Sequence, residues 1–193
     1  MLITITLETI YYSRDFSITL KTSMSKNKNF EEITEIDDSS VSEEQLIRTF
    51  HRYKWAKESL SNGASLEISC GSGLGIEMLR NGTDSFFAGD ISFTNLKHSQ
   101  KKVIHDQILV QFNAEHLPFK GNHFNNIICF ESIYYFENIK SFLTESKRSL
   151  KPNGRLIISF CNNQLYDFTP SKFSTKYFSV PEFNDLLEVT GFK

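Results

Sequence analysis

The chain has 193 residues, 39% of them hydrophobic, which suits one domain with a sizeable core. Its 21 basic and 23 acidic residues leave a formal charge of −2, so no nucleic acid or anionic membrane surface is expected as a partner. No apolar run approaches the roughly 18 residues of a membrane span; Cys70, Cys129 and Cys161 lack C-x-x-C spacing and the five histidines lack metal-ligand spacing, so free buried thiols, no metal and a reducing, cytoplasmic setting are expected.

Residues 1–41 read as an N-terminal extension and 42–193 as the folded domain. The start, "MLITITLETIYYSRDF", lacks the basic head and continuous apolar centre of a signal peptide. "LITITLETI" alternates like a strand, and the run from Glu31 to Glu44 holds seven acids and no base, as a solvated loop does. Ser42 with Gln45 has capping-box spacing and opens a helix with Leu46, Phe50, Tyr53, Ala56 and Leu60 at helical spacing; Asn62-Gly63 stops it. Strand and helix signals then alternate. "SLEIS", "SFFAGD", "QILVQF", "FNNIICF" and "RLIISF" read as strands, "GLGIEMLRN", "SFTNLKHSQKK" and "NIKSFLTESKRSL" as helices, and "KPNG" as a turn. A last helix, "SVPEFNDLLEVTGF", is capped by Ser179, has Pro181 in its first turn and ends at Gly191.

Alternating strands and helices predict an α/β fold: a doubly wound, mostly parallel sheet with helices on both faces. Ligands on such sheets bind beyond the carboxyl ends of the strands, where strand order switches. The informative residues stand there. "SCGSGLG" follows the first strand, and Gly71 and Gly73 allow tight turning and close ligand approach. Asp90 ends the second strand, about twenty residues on, placed to accept both hydroxyls of a ribose, with apolar Ile91 beside it for a flat base. Asn113-Ala114 follows the third strand and suits the edge of an adenine; Glu131 and Ser132 follow the fourth. These strand ends describe a site for a nucleoside with a polar tail. Position 76 is Ile rather than the third glycine of G-x-G-x-x-G, and no Walker lysine is present, which disfavours a pyrophosphate ligand.

In these features the chain resembles the class I S-adenosylmethionine-dependent methyltransferases, of the small-molecule, methyltransferase type 11-like kind, over about residues 48 to 193. "LEISCGSG" is similar to their glycine motif, "GDIS" to the ribose motif, "NAEHLPF" to the adenine loop, and "FNNIICFESIYYFEN" and "ESKRSLKPNGRLIIS" to the later motifs; "HRYKWA" is similar to small-molecule and glycan-pathway members. The resemblance implies a Rossmann-like fold, S-adenosylmethionine as cofactor and a small-molecule or glycan-type acceptor. It implies that Glu67 anchors the loop and helps hold the methionine amino group, that Ser69, Gly71 and Gly73 approach the amino-acid part, that Asp90 takes the ribose, Ile91 packs on the adenine, Asn113 and Ala114 read its edge, and the backbone near Phe130 and Glu131 faces the methionine end. Ser69, Asn113 and Asn125 depart from the usual Gly, Asp and Asp. A hydroxyl acceptor needs a base, for which Glu131 and His116 are candidates. Tyr134 and Tyr135 fit either packing or substrate contact, and the segment from Tyr166 to Phe178 either roofs an acceptor pocket or packs beneath a loop. An inactive cofactor-binding module and a nucleotide-cofactor oxidoreductase are the alternative functions. The two strands that usually follow "GF" do not follow here, so the chain reads as either a fragment or a naturally short form, with "RLIISF" expected as an uncovered edge that makes it marginally stable or self-associating unless "LITITLETI" pairs there.

Overall fold

A computed structural model describes residues 42–102, 108–166 and 168–192. The expectations for "LITITLETI" and for most of the acidic run fall outside these residues. Helix α1 (Glu43–Ser59) opens with the predicted capping box: the Ser42 hydroxyl accepts the Gln45 N–H at 3.2 Å and the Gln45 side chain accepts the Ser42 N–H at 3.1 Å. Then come β1 (Ala64–Ile68), α2 (Ile76–Arg80), β2 (Ser85–Asp90), α3 (Phe93–Lys102), β3 (Ile108–Gln111), β4 (Phe124–Phe130), α4 (Ile139–Ser149), β5 (Leu150–Ser159) and α5 (Val180–Val189). Ser179 forms a second capping box with Glu182, and Gly191, at φ 80°, ends the last helix.

The sheet order is β3-β2-β1-β4-β5 and every pairing is parallel. Alternate residues of each strand face opposite layers. On one side Leu66, Ile68, Ile127 and Cys129 pack with Phe142 and Leu143 of α4 and Phe183 of α5. On the other, Phe86, Ala88, Ile128 and Phe130 pack with Tyr53 and Ala56 of α1, Ile76 and Leu79 of α2 and Leu96 of α3. Chain order reverses direction across the sheet between β1 and β4, so the crevice of a doubly wound fold opens above these two strands.

Three expectations need correction. The apolar stripe of α1 is rotated: Thr49, Tyr53 and Ala56 are buried, while Leu46 and Phe50 are 40% and 52% exposed. "KPNG" is not a turn before the fifth strand but an excursion inside β5. Leu150 pairs with Phe124 and Arg155 with Asn126, so five steps along β5 match two along β4, with Asn153 at φ 65°. Cys161 is exposed rather than buried, because β5 ends at Ser159; Cys70 and Cys129 are buried. Among the described residues, β5 has β4 as its one strand neighbour.

Burial decides thiol chemistry here. Desolvation raises the Cys70 thiol well above its ordinary value and pushes Cys129 up to about 12. In the native state iodoacetamide should label Cys161 rapidly and Cys70 and Cys129 only on unfolding, as read by peptide mass spectrometry. Fast native labelling of Cys129 would contradict the placement of β4.

Candidate functional site

The strand ends surround an open cavity of about 480 Å³. Its wall takes Ile68 to Ser72 and Leu74 at the end of β1, Asp90 and Ile91 at the end of β2, Phe112 to Glu115 after β3, and Phe130 to Ser132 with Tyr134 to Glu137 at the end of β4. Seven of the nine sequence-predicted site residues line it: Ser69, Gly71, Asp90, Ile91, Asn113, Ala114 and Glu131. Glu67 and Gly73 stand behind the wall. At Gly73 (φ 79°) a Cβ would lie 3.0 Å from the backbone of Ser99, so this glycine lets the loop sit against α3.

Asp90, 5% exposed, organises the floor. Its Oδ2 accepts the Gly71 N–H at 2.9 Å, and its Oδ1 accepts the Ser92 N–H at 2.8 Å and the Asn95 amide at 3.4 Å. Burial raises its pKa, and those N–H donors counteract the rise. After β3, the Asn113 Oδ1 accepts the Glu115 N–H at 2.9 Å, an Asx turn that leaves that oxygen one further lone pair. Arg148 and Glu145 of α4 pin this loop by bonds to the carbonyls of Phe119 and Leu117 and the N–H of Leu117.

Glu131 has φ 47°, a left-handed backbone at a strand end, which an ordinary side chain adopts under constraint. Its N–H donates to the Ser159 carbonyl at 2.9 Å. Its carboxylate accepts from Ser159 Oγ at 3.0 Å and Tyr134 Oη at 3.1 Å, and Arg52 lies 3.8 Å away. Burial raises the Tyr134 pKa, with the Glu131 charge adding to it. None of the described residues from Tyr166 to Phe178 lines the cavity; Tyr177 stacks on Tyr134 at 4.6 Å and Phe168 packs edge-on to Tyr177, so this segment buttresses the wall rather than roofing it.

Sequence reading missed the contribution of α1, which supplies Gln45, Arg48, Thr49, Arg52 and Tyr53 to the wall. The only signal was "HRYKWA", with Arg52 and Tyr53 side by side. Tyr53 Oη donates to Glu67 Oε1 at 2.6 Å, and its ring packs edge-on to Phe130 at 5.3 Å. Gly75 exists for this ring: a Cβ there would fall 1.9 Å from Tyr53 Cε1. Glu67 is 2% exposed and its Oε2 has no hydrogen-bond partner among the described residues. Burial pushes its pKa up to about 8, opposed by the Tyr53 bond, with the Asp90 charge adding to the rise.

The described order of motifs around this cavity is matched by a family of known proteins over residues 66–158, described as "Methyltransferase domain". That match takes in most of β1, β2 to β4 and most of β5. The fold is shared by solved structures: an S-adenosylmethionine-dependent methyltransferase from Aquifex aeolicus superposes with a TM-score of 0.63 at 19% identity, over 79% of this chain and 89% of that one. A phthiotriol/phenolphthiotriol dimycocerosates methyltransferase of Mycobacterium leprae is 31% identical over 113 residues, covering 57% of this chain and 42% of its own length. A demethylmenaquinone methyltransferase of Lactiplantibacillus plantarum is 31% identical over 121 residues, covering 55% and 51%. The chain thus spans about half the length of these curated relatives. The buried Glu67 Oε2, without a hydrogen-bond partner among the described residues, would suit a strong donor such as the ammonium of S-adenosylmethionine.

Two outcomes follow from this geometry. Ser69 has φ 57°, where an L side chain costs roughly 1–2 kcal/mol, while glycine costs about 0.5–1 kcal/mol in unfolded-chain entropy. Ser69→Gly should therefore raise stability by up to about 1 kcal/mol in urea unfolding; a clear loss would show that the serine side chain does more than tolerate the turn. For Glu67, the ordinary value of 4.5 applies unfolded and about 8 folded, so the unfolded chain binds fewer protons between these values and stability falls as pH rises through that window. Glu67→Gln removes this titration. Its melting temperature relative to wild type should rise between pH 5 and pH 8, at roughly 2–4 °C per kcal/mol for a chain of this size.

Proposed function

We propose that this chain binds S-adenosylmethionine in the cavity over the strand ends and transfers its methyl group to an apolar small-molecule acceptor. The observation that carries this reading is the convergence of Gly71, Asp90, Asn113 and Glu131, from four different strand ends, on one cavity. On this reading they serve as glycine loop, ribose acid, adenine-edge amide and methionine-end carboxylate, the order that a nucleoside with an amino-acid tail requires. When bound, the cofactor supplies an activated sulfonium methyl.

The chain's own residues bind and orient. Asp90 accepts the ribose hydroxyls while it ties down Gly71, Ile91 lies against the base, and Asn113 and Ala114 read the adenine edge. Ser69, Gly71 and Gly73 shape the loop around the amino-acid part. Alignment of acceptor and cofactor is the chief contribution, worth up to roughly 7–11 kcal/mol in favourable model systems. Of the two candidate bases, Glu131 lines the cavity and His116 does not, so Glu131 takes the proton of an acceptor that must lose one. Tyr134, Tyr135 and Phe136 give the wall beyond Glu131 an aromatic character. That character, and the lipid- and quinone-directed names of two relatives, support an apolar acceptor over a glycan.

Calorimetry with S-adenosylmethionine and S-adenosylhomocysteine tests the cofactor. Asp90→Ala should weaken both by about 1.5–3 kcal/mol, the range for lost hydrogen bonds to a charged group, with native circular dichroism retained. Unchanged affinity in a folded variant would remove Asp90 from the site. The acceptor is tested by transfer of labelled methyl to quinols and phenolic lipids against simple sugars, with sugars alone as the outcome that overturns the apolar reading.

A further inference from the structure

Tyr53 lies 13 residues before the segment matched as a methyltransferase domain, on a helix outside the sheet, and yet it bonds to a residue inside that segment. Its hydroxyl donates to Glu67 Oε1 at 2.6 Å, and both groups are buried. The arrangement is demanding to build. Phe130 packs edge-on to the ring on one side, and position 75 must be glycine for the ring to fit. A buried phenol and a buried carboxyl are each costly to desolvate. Ordinary packing of α1 against the sheet would be met by leucine or phenylalanine at position 53. The hydroxyl instead occupies one oxygen of Glu67 and leaves the other, Oε2, with no partner among the described residues.

On the reading that the cavity takes S-adenosylmethionine, we propose that Tyr53 is a positioning residue: its hydroxyl holds the Glu67 carboxyl in the one orientation that leaves Oε2 for the methionine ammonium, directly or through a water. Three consequences follow from the geometry. Donation from Tyr53 favours the ionised form of Glu67, which the ammonium needs as its partner. The α1 helix becomes part of the cofactor site, because its docking sets the rotamer of Glu67. The effect is also confined to the amino-acid end of the ligand, since Asp90 and Asn113 are held by partners of their own. The charged and titratable groups around the pair are Arg52 on α1, Cys70 after β1, Asp90 at the end of β2 and Cys129 on β4.

The test compares two ligands on the folded chain. S-Adenosylhomocysteine carries the amino-acid tail, and 5′-methylthioadenosine has the same nucleoside without it. Tyr53→Phe keeps the ring and removes the hydroxyl. It should weaken S-adenosylhomocysteine about ten- to hundredfold, the size of a lost hydrogen bond to a charged group, and leave 5′-methylthioadenosine within about twofold. Glu67→Gln should show the same ligand selectivity, and adding Tyr53→Phe to it should cost nothing more, because the tyrosine acts through the carboxyl. Equal losses for the two ligands would make Tyr53 a purely structural residue and overturn the proposal, as would unchanged S-adenosylhomocysteine affinity. If Tyr53→Phe does not fold, Glu67→Gln alone decides: equal loss of both ligands overturns the proposal, and selective loss of S-adenosylhomocysteine supports it. Wild-type protein that binds neither ligand overturns the cofactor reading itself and this inference with it, whereas wild-type binding with unselective variants overturns this inference alone.

Discussion

The carboxylate of Asp90 receives the N–H of Gly71 from the loop after β1 and that of Ser92 from the start of α3, at 2.9 and 2.8 Å. These bonds join the ends of two adjacent parallel strands and the helix that follows. The rest of the floor depends on them. The glycine loop has few side chains of its own, so its shape is set by what its N–H groups find, and the nearest strong acceptor is this buried acid. With Gly71 held, Ser99 of α3 donates to the Gly71 carbonyl at 2.8 Å, and Gly73 fits against Ser99 without a clash. A single side chain thereby gives the loop and the helix one fixed relation before any ligand arrives, which is the pre-organisation a binding site needs.

The second constraint is the placement of α1. A parallel sheet needs cover on both faces, and α1, α2 and α3 supply it on the side of Phe86, Ile128 and Phe130. The α1 helix does more than cover. It brings Arg52 to within 3.8 Å of Glu131 and Tyr53 to Glu67, so both carboxyls behind and beside the cavity have partners from the same turn of one helix. The cost is visible in the sequence positions left over. The stripe that points inward is the one that carries the tyrosine, and Leu46 and Phe50 are turned away from the core.

The two walls of the cavity are built differently. Below, on the side of β2 and β3, backbone N–H groups and short polar side chains fix the loops: Asp90 holds Gly71 and Ser92, and Asn113 holds Glu115. Beyond β4, aromatic stacking does the work, with Tyr177 on Tyr134 and Phe168 on Tyr177 supporting the wall from behind. A left-handed Glu131 between these regimes is held from three directions by Ser159, Tyr134 and Arg52. Strain of this kind persists where surrounding structure over-determines it.

Strand and helix identity, and the residues that end each strand, were legible in the chain because they rest on local signals: apolar runs of strand length, Ser42 and Ser179 with an acceptor three residues on, and small residues where the chain must turn. Parallel pairing follows from alternation alone, so the chain itself puts Ser69, Gly71, Asp90, Ile91, Asn113, Ala114 and Glu131 at one end of the sheet. What the sequence by itself could not decide were the relations that depend on how layers meet. The face that α1 turns inward, the excursion of "KPNG" inside β5 and the exposure of Cys161 all depend on partners distant in the chain. The bond from Tyr53 to Glu67 spans 14 residues and a change of layer, and no periodicity encodes it. Local propensity sets what each segment becomes; the choice of which side chains share a buried volume belongs to the packed tertiary structure, because only there does desolvation force every buried polar group to find a partner.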